Sequence, residues 1–362
     1  MKGLKAILEK ARPAFEEGGR LARLKPVFQA LDHFLFAAAE KASNAPFGRD
    51  PLDVKRFMSL VILALLPSLA AAIYFYGWRV LLMLLVSYAA GGLVEVLFAI
   101  IRKEEINEGF LVTGFIFPLI LPPGIPLWLV AVGVSFGVVI GKEIFGGTGR
   151  NLFNPALVGR VFLAIGYPAA LTSTWIQPLG GSWGRLLEPF GFGVPDALTS
   201  ATPLALAKGG ALTGAFELFV GRTAGSAGET SALAILLGGL FLLLVGAANW
   251  RTVLALLASF AGLAAVFHGL LPATVPPVWF HLLSGGLLFG AFFMATDPVS
   301  GPVTRAGKWA YGILIGAVTI LIRSFTAYVE GVMFAILLGN IFAPLIDEVV
   351  IRLKARSYAH ER

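Results

Sequence analysis

Residues 79–101 read RVLLMLLVSYAAGGLVEVLFAII. Beyond Arg79 this stretch carries a single charge, Glu95. A helix that crosses a bilayer needs about 20 mostly apolar residues, so the run reads as a membrane span. Working outward, Phe57–Gly77 precedes it, and Gly109–Pro122, Pro126–Ile144 and Leu152–Ala170 follow. Beyond a polar gap come Ser231–Ala248, Thr252–Leu271, Val278–Thr296, Trp309–Arg323 and Val329–Ile351. The expected fold is an all-α polytopic membrane protein of about ten transmembrane helices. The third stretch is short and ends at Pro122-Pro123, which predicts a broken or re-entrant helix.

Composition agrees. Apolar residues make up 57% of the 362, or about 67% once Gly (43) is added and Tyr (7) removed. Soluble domains run near 45–50% apolar and 25% charged, against 14% charged here. An ordinary soluble enzyme, a disordered chain and a coiled coil are excluded. With no Cys, there is no disulfide framework, thiolate-bound iron–sulfur cluster, c-type haem attachment or cysteine nucleophile. The net charge of +7 needs no nucleic acid to explain it.

Ten spans put both termini on one side. The first 56 residues hold 11 Lys/Arg, and Arg352, Lys354, Arg356 and Arg362 follow Ile351. Arg102, Lys103, Lys142, Arg150, Arg251, Arg305 and Lys308 fall in short loops on that side, and only Arg79 and Arg323 in those opposite. By the positive-inside rule both termini are cytoplasmic. The first 30 residues hold no apolar run long enough for a signal peptide. Val27, Phe28, Leu31, Phe34 and Leu35 recur at helical spacing, predicting an amphipathic helix on the membrane surface or on a partner subunit. The expected organisation is a cytoplasmic tail over 1–56, a first five-helix unit over 57–170, an external loop over 171–230, a second unit over 231–351 and a cytoplasmic tail over 352–362.

The two units echo each other. Phe136-Gly-Val-Val-Ile-Gly141 matches Tyr311-Gly-Ile-Leu-Ile-Gly316, and Asn151-Leu-Phe-Asn-Pro-Ala-Leu157 matches Asn340-Ile-Phe-Ala-Pro-Leu-Ile346. A duplicated unit with an odd number of spans gives two inverted five-helix repeats, the plan of many transport proteins, with sites between the halves.

Several residues stand out. Gly91 and Glu95 share a helix face, and an acid about 9 Å inside a span is a functional candidate by default. Gly146-Gly-Thr-Gly149 reads as a phosphate cradle or as a plain turn, and is not a P-loop. Arg160, well inside the fifth span, calls for a structural ion pair. Glu143, Asp297 and Asp347 are hard-oxygen candidates for a cation path, Asp297-Pro298 also reading as a turn and Asp347 as a cap-region charge. His268 and His281 are too near the surface for a convincing bis-His haem. No residue is assigned a catalytic or metal-ligand role.

In the external loop, Asp196-Ala-Leu-Thr199-Ser200-Ala201-Thr202 resembles the flavinylation pattern Asp-x-x-Ser/Thr-x-Ala-Thr, with Ser200 where Gly is usual. The whole chain resembles the NqrB subunit of the Na+-translocating NADH:quinone oxidoreductase and, more distantly, the RnfD subunit of the Rnf complex. The matching stretches include Arg49-Asp-Pro-Leu-Asp-Val-Lys-Arg56, Gly91-Gly-Leu-Val-Glu-Val-Leu-Phe98 and Asn107-Glu-Gly-Phe110. Others are Gly141 to Arg160, Phe292 to Ser300, Gly307 to Gly316 and Phe342 to Asp347.

The resemblance implies FMN held covalently by a phosphoester on Thr202, with Asp196, Thr199 and Ala201 completing the motif for a flavin transferase. It implies noncovalent riboflavin beside Asn151 and Asn154. It implies a quinone site at Gly91, Gly92, Glu95 and Phe110, walled partly by the N-terminal tail, and a Na+ path through Asp347 and Glu143. NADH oxidation falls to the other subunits, since this chain lacks a GxGxxG fold. The location implied is the bacterial inner membrane, with the Thr202 loop periplasmic. An RnfD subunit of a ferredoxin:NAD oxidoreductase, or a flavin-free channel or secondary transporter, is the alternative.

Overall fold

The computed structural model describes residues 54–103, 109–178, 201–326, 328 and 330–360, together with Pro13, Phe15 and Phe28. Among them the chain is helical, with no strand. The long helices are α1 (Val54–Tyr76), α2 (Arg79–Arg102), α4 (Leu127–Gly141), α10 (Trp250–Leu270), α12 (Arg305–Phe325) and α13 (Val332–His360). Six helical stretches among the described residues are long and apolar enough to cross a membrane, and they fall on these six. The protein is a multi-pass membrane protein. Shorter apolar helices are α3 (Gly109–Leu119), α5 (Pro155–Gly166) and α9 (Ala232–Val245). The remaining short elements are α6 (Pro168–Thr172), α7 (Pro203–Lys208), α8 (Ala215–Val220) and α11 (Val278–Leu283).

Each boundary has a local cause. Only Gly77 and Trp78 separate α1 from α2, and Gly77 takes φ +76° to turn the chain. α2 stops at Lys103, the one described non-glycine residue at positive φ, whose N–H caps the Ala99 carbonyl. Asn154, Ser231, Asn249 and Thr304 each cap a helix N-terminus with a side-chain oxygen, the position where these residues are worth about 1 kcal/mol.

α3 ends at Leu119, short as expected before Pro122-Pro123. Its freed carbonyls are not left bare. Leu119 and Leu121 accept from the backbone N–H of Gly228 (2.7 Å) and Ala227 (3.0 Å). Arg79 donates to the Pro123, Gly124 and Ile125 carbonyls at 2.8, 3.3 and 2.9 Å. This is how a broken helix survives away from water.

Three span readings differ from the structure. The stretch Val278–Thr296 is not one helix. It runs as α11, a break at Ser284-Gly285-Gly286 with Gly285 at φ +65°, a short turn Leu287–Phe289 and a π-helical turn Gly290–Met294. The stretch Leu152–Ala170 splits into α5 and α6, because Pro168 has no N–H to continue the ladder. The last helix continues past Ile351 to His360, since nothing after Pro344 interrupts it.

α2 packs on α4 and α10 on α12, and α4 packs on α5 and α12 on α13. Across the halves α1 packs on α9 and α5 on α13. α4 meets α5 through Gly133, Gly137 and Gly141, set one turn apart against the backbone of Pro155 and Gly159. Gly312 and Gly316, their echoes in sequence, press instead on the backbone of α10. Of the amphipathic tail, only Phe28 among the residues used to read it is described; it is helical and buried, and its ring stacks on Phe15 at 4.7 Å.

Candidate functional site

A cleft opens where the two halves of the chain meet. It holds about 70 Å³ of water-accessible space. Phe57, Thr113, Lys142, Asn151, Asn154 and Asp297 are among its walls. They come from α1, α3, the link after α4, the N-terminus of α5 and the connection before α12.

The sequence Asn151-Leu-Phe-Asn154-Pro155 builds the polar edge. Asn154 Oδ1 accepts from the N–H of Ala156 (3.1 Å) and Leu157 (3.4 Å), capping α5, and Pro155 occupies the first turn where no N–H is needed. Asn151 Nδ2 donates to the Phe153 carbonyl at 3.0 Å. Those bonds fix both amides. Among the described residues, Asn151 Oδ1 and Asn154 Nδ2 keep no hydrogen-bond partner, so the edge offers one acceptor and one donor. The buried Thr148 hydroxyl, also in the wall, is likewise without a partner. Asp297 is committed to its turn, accepting from Val299 N–H (3.1 Å) and Ser300 Oγ (2.7 Å).

The glycine-rich link before this edge is a turn. Gly146, Gly147 and Gly149 take φ +107°, +89° and +87°, values that a side chain would strain. The Gly146 and Gly147 N–H groups bond the Glu143 and Lys142 carbonyls, so they do not present a phosphate cradle.

The second place lies on the other side of α3. Gly109, Val112, Thr113 and Ile116 face the cleft, while Phe110 and Gly114 face α2. The Phe110 ring sits on Gly91, where an added Cβ would lie 2.5 Å from its Cε2 and Cζ, and reaches Gly92 as well. Tyr88 meets Phe110 edge-on at 6.0 Å and donates to the Leu111 carbonyl at 2.6 Å. One turn along α2, Glu95 is buried at 6% exposure. Its Oε1 accepts from the buried ammonium of Lys142, and its Oε2 has no partner among the described residues. Next to this pair Glu143 accepts from Arg102 at 2.9 Å. Glu95 is therefore one half of a buried ion pair and does not snorkel to the surface.

The end of the bundle opposite the cleft holds the expected flavinylation residue. Thr202 caps α7, its Oγ1 accepting from Ala205 N–H at 3.4 Å, and is buried at 8% exposure; Ala201 before it is exposed. The hydroxyl expected on an accessible loop is thus turned onto its own helix, because the cap satisfies an otherwise unbonded N–H. Asp196 and Thr199 lie outside the described residues. Deeper in, Arg160 donates to Glu229 (3.2 Å) and to Glu330, the structural ion pair that its depth calls for. Arg323 donates to the His281 carbonyl at 2.9 Å. His281 is buried with neither ring nitrogen bonded, and His268 bonds the Val275 carbonyl.

Asp347 sits on α13 and accepts from the N–H of Val303 (2.6 Å) and Thr304 (3.1 Å) and from the Thr304 hydroxyl. It ties the last helix to the start of α12.

The NQR2, RnfD, RnfE family model matches residues 41–355. The chain belongs to this family. Members similar to it include the NqrB subunit of the Na(+)-translocating NADH-quinone reductase of Azotobacter vinelandii, 41% identical with 96% of this chain and 97% of that one covered. Those of Ectopseudomonas mendocina and Klebsiella pneumoniae (strain 342) are 39% and 38% identical, with 97% of each chain covered. These relatives are named as subunits of a multi-subunit enzyme, and a single subunit is not a complete one. The 405 aligned positions with the Azotobacter protein exceed the 362 of this chain, so that family member carries segments this one lacks.

Within the family frame, sequence reasoning singles out Glu95, Asn151, Asn154 and Phe110 but not their partners. Lys142 reads as a loop charge in the linear chain, and nothing there marks Glu229 or Glu330. Each partner is 47 or more residues away from the group it meets, and no periodicity connects them.

Proposed function

We propose that the chain is the membrane subunit of a Na+-translocating NADH:quinone oxidoreductase, carrying electrons from covalent FMN through a noncovalent flavin to quinone and forming part of the Na+ path. One observation carries this reading. The cleft, with its free amide donor and acceptor, and the glycine notch beside Glu95 lie back to back across α3. The names of the relatives supply the enzyme and the ion.

Bound flavin supplies one- and two-electron redox chemistry. Asn151 Oδ1 and Asn154 Nδ2 would hold the polar edge of riboflavin, and Thr148 would add a hydroxyl. Thr202 would hold FMN through Oγ1 once it turns out of its cap. Gly91 and Gly92 would let a quinone ring approach the α2 backbone, with Phe110 as the wall and Glu95 as the polar contact. Glu143 and Asp347 would serve Na+ at the cytoplasmic face. Ten spans in two inverted repeats, cytoplasmic termini and an external Thr202 loop complete the reading; discontinuous third helices in both halves support it. The other subunits of the complex, and a flavin transferase for maturation, are the partners.

The test is flavin content. In a host with the transferase, the denatured chain is expected to fluoresce in a gel, and Thr202→Ala to abolish that signal. Asn151→Ala with Asn154→Ser, which keeps the α5 cap, is expected to lose the noncovalent flavin only. A wild-type chain without fluorescence, beside a control substrate that the transferase does label, refutes the covalent site and favours a flavin-free transporter. Quinone-dependent activity of the assembled complex separates this reading from an Rnf complex.

A further inference from the structure

Lys142 belongs to both places at once. It lines the cleft with Asn151 and Asn154, and its ammonium pairs with Glu95 on the far side of α3. Both side chains of the pair are buried, at 4% and 7% exposure. Glu95 itself is absent from the cleft wall, so Lys142 is the group that touches both the cleft and Glu95. Among the described residues nearby, Arg102 pairs with Glu143, and the Asp297 carboxylate in the cleft wall is held by Val299 and Ser300. In a site of low polarity, a lone cation shared between two acceptors makes their charges interdependent.

We propose that Lys142 is a positioning residue that couples the cleft to the glycine notch, one ammonium serving as counter-ion both to Glu95 and to the negative charge that reduction adds in the cleft. The proposal rests on the reading of the cleft as a flavin site. Charge gained in the cleft draws the ammonium away from Glu95. Glu95 then stands as an uncompensated buried carboxylate beside the notch, ready to take a proton or to receive a donor from a ligand there. Conversely, a ligand that donates to Glu95 frees the ammonium toward the cleft. Coupling of this kind is reciprocal.

The opposite signs of two substitutions test it. In the purified intact complex, the midpoint potential of the noncovalent flavin is titrated at fixed pH by its absorbance. Lys142→Met removes the cation and is expected to lower the potential. Glu95→Gln, at a residue that does not itself line the cleft, leaves the ammonium unbalanced and is expected to raise it. The double variant removes both charges, spares the fold an unpaired buried ion, and is expected to fall between the two. Lys142→Arg is expected to stay near wild type. If Lys142→Met fails to assemble, the rise in Glu95→Gln and its reversal in the double variant decide the matter. Shifts of the same sign, or none, overturn the proposal while the flavin site stands. Full retention of the noncovalent flavin in Asn151→Ala/Asn154→Ser overturns the cleft reading, and the proposal with it.

Discussion

At the scale of single residues, the notch on α2 is defined by what Gly91 lacks. An alanine Cβ there would overlap the Phe110 ring and lie 3.0 Å from Val134 Cγ2. Phe110 is buried and held edge-on by Tyr88, so it has little room to retreat. Gly91→Ala is expected to cost about 1–3 kcal/mol of stability, the usual range for overpacking, and to weaken quinone binding. Truncating the ring in Gly91→Ala/Phe110→Leu is expected to recover stability but not quinone affinity. Thermal midpoints and the quinone KM of wild type, Gly91→Ala, Phe110→Leu and the double variant separate packing from recognition. The same scale explains why Asn154 is a poor choice for alanine scanning: its side-chain carbonyl caps α5 while its NH2 is the group proposed to meet the flavin, so Asn154→Ala confounds two losses.

At the scale of elements, broken helices and close glycine contacts do the shaping. α3 stops at Leu119 ahead of the Pro122-Pro123 pair, and the carbonyls freed at its end and in the turn beyond are taken up by the chain at 227–228 and by Arg79. The matching element of the second half breaks at Ser284-Gly285-Gly286 instead, where Gly286 leaves room for the Glu229 carboxylate. Small residues at a helix interface replace the hydrophobic drive that lipid removes. On α4, Gly137 lies against the Pro155 carbonyl and the Gly159 backbone, which cannot yield as a side-chain end could. Gly137→Val is expected to push α4 off α5 and lower the thermal midpoint of the complex. Gly262, whose Cβ would meet nothing within 4 Å, is the control: Gly262→Ala is expected to leave it unchanged. Because α5 starts at Asn154, the noncovalent flavin content should fall with Gly137→Val and not with Gly262→Ala.

At the scale of the whole molecule, Arg160 joins the parts. It draws together α5, the segment before α9 and the segment before α13 through Glu229 and Glu330. Burial pushes the Glu229 carboxyl up to about 7 from an ordinary 4.5, against the pull of Arg160, with Glu330 pushing the same way as burial. The folded state therefore holds a proton on Glu229 that the unfolded chain has released between pH 4.5 and 7. Stability contributed by this group is expected to fall as pH rises through that window and then level off. Below it, Arg160 still has Glu330 as partner. Glu229→Gln is expected to flatten this part of the pH dependence, read as thermal midpoints of the complex from about pH 5 to 8. Arg160→Met leaves the buried Glu229 and the partly buried Glu330 without their cation and is expected to cost about 3–5 kcal/mol.

Much of this is legible in the linear chain. Stretches such as 79–101 declare a membrane span because apolar length is a local property that the bilayer reads directly. The Pro122-Pro123 break and the glycine-rich link at 146–149, which reads as a turn or a phosphate cradle, are equally local, since each depends on the backbone within four residues. Glu95 and Arg160 are recognisable as costly buried charges from depth alone. Their partners are not: Lys142, Glu229 and Glu330 come to them only when α4, the 226–230 segment and the approach to α13 fold back. The break in the Val278–Thr296 stretch also escapes, because Ser-Gly-Gly is tolerated in a membrane helix and unwinds here where Glu229 needs the space. Composition, spacing and local stereochemistry by themselves determined that this chain lies in a membrane, roughly where it crosses and where it turns. Only the tertiary structure decided which charges neutralise which and that α3 divides a cleft from a notch, because ion pairing and cavity walls are set by contacts between segments far apart in sequence.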